Sequence, residues 1–169
     1  MSRTTSTATH QRTTHNTLSA DIRQEMIALL NKVLGEAIDL GRHAKQAHWN
    51  VRGPAFIAVH ELFDKVYADV VEYGDMAAER AVQLGGVVDG RVTTVAEVST
   101  LAAYPLEAEN QDQHVTALTK SLATFGKTVR EAIAKADDAG DADTADICTE
   151  ISRGIDKWLW MVEAHLSAR

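Results

Sequence analysis

The chain has 169 residues, 17 Lys and Arg against 24 Asp and Glu, and a formal net charge of −7. That length suits one compact domain, able to bury roughly 70% of its unfolded surface without a disulfide or a metal staple. No stretch is apolar enough to span a membrane, and the chain does not open on a secretory apolar run. The single cysteine, Cys148, has no internal partner, so these features together predict a cytoplasmic protein. Net acidity speaks weakly against a nucleic-acid binder with a basic body and agrees with a protein that collects cations.

Residues 1–17 contain seven Thr and no Leu, Ile, Val or Phe. Such a stretch buries too little apolar surface to offset the entropy of ordering, so it reads as a flexible tail before a body at 18–169. The tail carries Arg3, Arg12, His10 and His15 and no acid. Its formal charge is +2, leaving −9 on the body.

The body reads as helix after helix. Ile22, Met26, Leu29, Val33, Ala37, Leu40, Ala44 and His48 recur at steps of three and four, predicting a helix from Ser19 to about Asn50. Ser19 is its expected N-cap, and Arg52-Gly53-Pro54 its stop. A second helix is predicted from Phe56 to Leu84, buried through Phe56, Val59, Phe63, Val66, Val70, Ala77, Ala81 and Leu84, and halted at Gly85-Gly86. A long connection follows, with a short helix expected near Thr94–Ala103 and a break at Pro105. Further helices are predicted over Glu107–Ala136 and from Asp143 to Leu166, the last with Asp143 and Asp146 resembling a capping box. Four long helices with one long central connection point to an all-α, ferritin-like four-helix bundle with a short helix in the crossover.

Chemistry concentrates on the second helix. With His60 at zero and about 100° per residue, Asp64 falls near 40°, Asp75 near 60° and Glu79 near 100°. His60 with Asp64, and Asp75 with Glu79, are each four residues apart, where helical side chains meet. The two pairs are eleven residues apart, about 16 Å along the axis. One ion with ligands at about 2 Å cannot touch both within one chain. Two copies crossing antiparallel about a dyad near residues 69–70 would set His60 opposite Glu79 and Asp64 opposite Asp75, giving each dimer two equivalent sites. Ala68 and Val71 lie on the stripe between the pairs and suit a helix contact. Taken singly, each acid reads as a solvated residue and the histidine as a packed one; the matched set of four points to metal. His48 adds to it, sitting where the chain turns back toward His60.

The segments AKQAHWNVRGPAFIAVHELFD (44–64), GDMAAERAVQLGG (74–86) and DTADICTEISRGIDKWLWMVEAHL (143–166) resemble the Dps family, the mini-ferritins named as DNA-binding proteins from starved cells. The resemblance covers nearly all of 18–166 and implies a hollow shell of twelve subunits built from two-fold dimers. It implies a ferroxidase centre at the dyad, with His48, His60 and Asp64 from one subunit, Asp75 and Glu79 from the partner, and Lys45 and Trp49 beside it. It further implies Fe(II) oxidation, preferably by hydrogen peroxide, and storage of Fe(III) oxide against oxidative damage. Imidazole and carboxylate ligands suit iron, and Zn(II) is expected to compete.

Glu107, Glu109 and Asp112 lie near where the family has acidic iron-admitting pores; a first helical turn favours acids for its own reason, and that reading stays equally open. Trp158 and Trp160 read as electron donors or as packing, and Cys148 as a small core residue. DNA binding is the alternative function, carried by the 1–17 tails, with nucleoid association as the location that goes with it. This tail has no Lys, so DNA binding depends on avidity across many copies. An inert bundle that kept only the shell is a third reading, opposed by the presence of all five matched ligands.

Overall fold

The computed structural model describes residues 11–166. Among these are five helices and no strand: α1 (Ala20–Asn50), α2 (Phe56–Gln83), α3 (Val92–Val98), α4 (Gln111–Asp138) and α5 (Ala142–Glu163). α1 packs mainly on α2 and α4 on α5, and these two antiparallel hairpins close into one bundle. The expected all-α four-helix bundle with a short helix in the crossover is what these helices form. No described helix is long and apolar enough to cross a membrane.

The periodic positions build the core. Met26, Leu40, Phe63, Val66, Val70, Leu118, Phe125, Ile151 and Ile155 are fully buried. Burying such side chains stabilises by roughly 1.5–3 kcal/mol each, against the entropy of ordering them. Phe56 departs from its expected place: it is the first residue of α2, beside the corner that joins α1 to α2, and it is 40% exposed.

Caps explain the boundaries. Ser19 Oγ accepts from the Ile22 amide, as its N-cap position requires. α2 and α4 end alike, in paired amide-to-carbonyl bonds that fold the last turn back. Gly86 donates to Ala81 and Gly85 to Val82; Asp141 donates to Ala136 and Gly140 to Asp137. Gly85 (φ 87°) and Gly140 (φ 75°) hold the left-handed position this motif needs.

Three expected starts move. α4 begins at Gln111, because Asn110 accepts from the Gln113 amide while the Gln113 side chain accepts from the Asn110 amide. Glu107 and Glu109 therefore precede the helix, and only Asp112 lies in its first turn. α5 is capped by Asp141, whose carboxylate accepts from the Thr144 amide, and not by Asp143 with Asp146. α3 spans Val92–Val98, since Asp89 accepts from the Arg91 amide ahead of it and Ser99 and Thr100 peel away to bond Asp39 and Glu36 of α1. Val98 then packs on Gly35, where an added Cβ would lie 2.3 Å from its Cγ2.

Of the expected tail, Arg3 and His10 lie outside the described residues. Residues 11–17 take a course along the bundle end, with the Arg12 amide donating to Gly85 O at 2.7 Å and the Gln11 side chain to Ala20 O.

Candidate metal centre

α1 and α2 meet at the corner Val51–Ala55 and bring two of the predicted ligands face to face. The rings of His48 and His60 stack with centroids 3.7 Å apart. His48 Nδ1 bonds His60 O, and His60 Nδ1 bonds His48 O, each at 2.8 Å. A carbonyl can only accept, so each Nδ1 carries the proton. Nε2 of each ring is left as the nitrogen available to a metal. Phe56 leans on His60 at 5.1 Å between centroids.

Asp64 sits one turn along α2 and takes Lys45 Nζ at 2.5 Å. Its carboxyl is held below the usual range, first by this hydrogen bond, with the charges of Lys45, His48 and His60 adding. Lys45 also lies over the Tyr67 ring, 5.0 Å from its centroid. Trp49 is 64% exposed at the end of α1.

Asp75 and Glu79 lie farther along the same unbroken helix, exposed, and among the described residues neither makes a hydrogen bond or ion pair. Thus His48, His60, Asp64 and Lys45 come together, and Asp75 and Glu79 do not join them within one chain. Among the described residues no three His, Cys, Asp or Glu side chains are placed to hold a metal ion. Ala68 and Val71 are exposed, as a helix-contact stripe requires. A groove of about 480 Å³ beside Asp75, between α1 and α2, is lined by Ile38, Tyr67 and Val71 among others.

Glu107 and Asp112 line a separate groove of about 470 Å³ between the connection and α4, and Glu109 is exposed outside it. Trp158 is buried, with Nε1 donating to Asp69 Oδ2 at 2.8 Å, whereas Trp160 is exposed. Cys148 is fully buried, and burial pushes its thiol up to about 11.

Periodicity reads apolar residues and misses polar ones that are buried in pairs. Arg80 is 5% exposed and donates to Asp141 Oδ1 at 2.7 Å and to Thr144 Oγ1 at 3.0 Å. His43 bonds Ser121 Oγ, and Tyr104 OH bonds His114 Nδ1, each at 2.8 Å. The one signal in the sequence was position: Arg80 and His43 each interrupt an otherwise apolar face.

A ferritin-like domain model matches residues 27–168. The DNA protection during starvation protein of Agrobacterium fabrum is 42% identical over 156 residues, covering 92% of this chain and 96% of that one. The structure of Dps from Microbacterium arborescens in the high iron form superposes with a TM-score of 0.80 at 37% identity, covering 88% of this chain and 97% of that one. Mycobacterium smegmatis Dps superposes with a TM-score of 0.88 at 31% identity, covering 94% and 90%.

Proposed function

The chain belongs to the Dps family of ferritin-like proteins, and from that premise we propose that it oxidises Fe(II) at sites shared between two subunits and stores Fe(III) oxide inside a twelve-subunit shell. One observation carries this reading. His60 and Glu79, like Asp64 and Asp75, stand symmetrically about residues 69–70 on one uninterrupted helix. A two-fold crossing there completes two sites at once. The uncovered stripe of Ala68 and Val71, and the ligand pairs left incomplete within one chain, are what such a crossing would use.

Iron is the substrate and cargo. His48 and His60 would present Nε2, with Asp64 beside them, and the partner's Asp75 and Glu79 would supply the remaining oxygens. Carboxylates favour Fe(III) over Fe(II) through their charge and hardness, so the set promotes loss of an electron. Two Fe(II) ions reduce one hydrogen peroxide; with water, the product is two Fe(III) oxyhydroxide units and four protons. Consuming both reagents together removes the source of hydroxyl radicals. Lys45 neutralises Asp64 in the metal-free chain and would yield that oxygen to a cation.

The relatives' name, DNA protection during starvation, supports a protective role, and the high-iron form of one solved relative supports iron as the cargo. Direct DNA contact through residues 1–17 is the second reading, favoured by the +2 charge of that segment. A gel shift at low salt with and without residues 1–17 separates the two.

The deciding measurement is Fe(II) oxidation by peroxide and by oxygen in wild type, Asp75→Ala and His60→Ala. Both substitutions should slow oxidation about 10–100-fold, and saturating Zn(II) should do the same to wild type. Rates left intact by both substitutions would sink the assignment. Native mass should be twelve times the 18.4 kDa of one chain.

A further inference from the structure

α2 carries a second set of polar residues on the side away from the ligands. At about 100° per residue, Asp69, Tyr73 and Arg80 fall within about 40° of one another, roughly 130–170° round from the centre of the ligand stripe. All three meet α5. Asp69 accepts from Trp158 Nε1. Tyr73 lies over Gly154, where an added Cβ would sit 1.9 Å from the phenol oxygen. Arg80 donates to Asp141 and Thr144, and Asp141 also caps α5. Their α5 partners run down that helix as they run up α2, in the register of two antiparallel helices.

This contact does something the apolar core does poorly. Between Val70 and Leu84, in the ligand-bearing C-terminal part of α2, the only apolar side chains fully buried in the core are those of Ala77 and Ala81. Such small side chains interdigitate little and leave rotation of the helix about its own axis weakly specified. Hydrogen bonds are directional and resist that rotation. A turn of about 20° would move a side-chain end roughly 2 Å, given a helix radius of about 5–6 Å with side chains. That displacement equals a whole metal–ligand bond.

We propose that Asp69, Tyr73 and Arg80 are positioning residues, which act through Trp158, Gly154 and the Asp141–Thr144 cap to set the rotation of α2 and so aim Asp75 and Glu79 at the partner's histidines. The proposal rests on the shared-site reading above. At the other end of α2, the His48–His60 bonds and the Lys45–Asp64 pair do the corresponding work against α1.

The test uses the full-length assembled protein with Co(II) as the probe, because its visible absorption reports ligand geometry. Gly154→Ala forces Tyr73 off its seat. Trp158→Phe removes one donor and keeps most of the packing. Arg80→Lys keeps the charge and loses the planar fork. None of the three replaces a proposed ligand. Each should weaken Co(II) binding about tenfold and alter the absorption band, with native mass and helical circular dichroism unchanged. If Arg80→Lys fails to assemble, Gly154→Ala and Trp158→Phe decide the matter. Assembled variants with the wild-type affinity and band would overturn the proposal. Failure of the shared site itself looks different: His60→Ala would then bind Co(II) as wild type does.

Discussion

His48 and His60 lock each other through their backbones, each ring Nδ1 donating to the other residue's carbonyl oxygen at 2.8 Å. The lock ties the end of α1 to the start of α2 and turns both Nε2 atoms to the same purpose. It belongs to a single chain. The pair Asp75 and Glu79 stands apart from it, so the chemistry should depend on which subunits meet.

Subunit mixing tests that dependence. His60→Ala breaks the histidine half of a site and Asp75→Ala the carboxylate half. Each variant alone should be nearly inactive. In a dimer of one of each, two-fold pairing puts both defects in one site and leaves the other intact. Random co-assembly should therefore restore about a quarter of wild-type oxidation, since half the dimers are mixed and each mixed dimer has one good site. No recovery in co-assembled shells would place all ligands of a site on one subunit.

The crossover has its own test. Gly35→Ala would drive a methyl into Val98, at a contact too close for any Cβ. Overpacking of this kind costs about 1–3 kcal/mol. Thermal unfolding should show the loss, and Val98→Ala in the same chain should return much of it. Strictly additive effects of the two substitutions would mean that they do not share the contact.

Acid should weaken the fold through two histidines. Burial lowers the pKa of His43, against the opposing pull of Asp39, and burial also lowers that of His114. His43 is 7% and His114 2% exposed, and the backbone bonds of His114 to Ala108 and Asn50 oppose its burial without overcoming it. Above the unfolded value of about 6.5 both states are neutral and these groups change nothing. Below it the unfolded chain takes up protons first, so stability falls as pH drops. Melting temperatures from pH 7.5 to 5.5 should decline, and His114→Asn should flatten the slope. A slope equally steep in His114→Asn would remove this residue from the account.

Cys148 should be inert in the folded protein. It is fully buried, and its thiol is pushed up to about 11 by burial first and by Asp141 second. Thiolate is the reactive form, so alkylation at pH 8 should be negligible until denaturant is added. Prompt labelling of the native protein would show that α5 opens locally.

Helices α1 and α2 were legible almost to the residue, because their apolar repeats are long and Ser19 and Gly85-Gly86 punctuate them. The start of α4 was hidden by Glu107 and Glu109, which imitate the acids of a first turn; Asn110 and Gln113 held the better signal. The start of α5 was missed for a related reason, since several acids compete and only the tertiary bond to Arg80 singles out Asp141. For the site, the α2 stripe was readable because one helix fixes all its angles. The stacking of His48 on His60 depends on the shape of the Val51–Ala55 corner, and the α5 contacts depend on a neighbour more than sixty residues away. Neither follows from periodicity.

The corner between α1 and α2 has a consequence for the life of the protein. His48 and His60 are twelve residues apart, so their contact closes a short loop and can form as soon as that hairpin leaves the ribosome. On the shared-site reading, the remaining ligands arrive only with another molecule. A newly made subunit would then carry a finished half of its chemistry and none of its reactivity, and synthesis could run ahead of assembly without oxidising iron where no shell is present to hold the product.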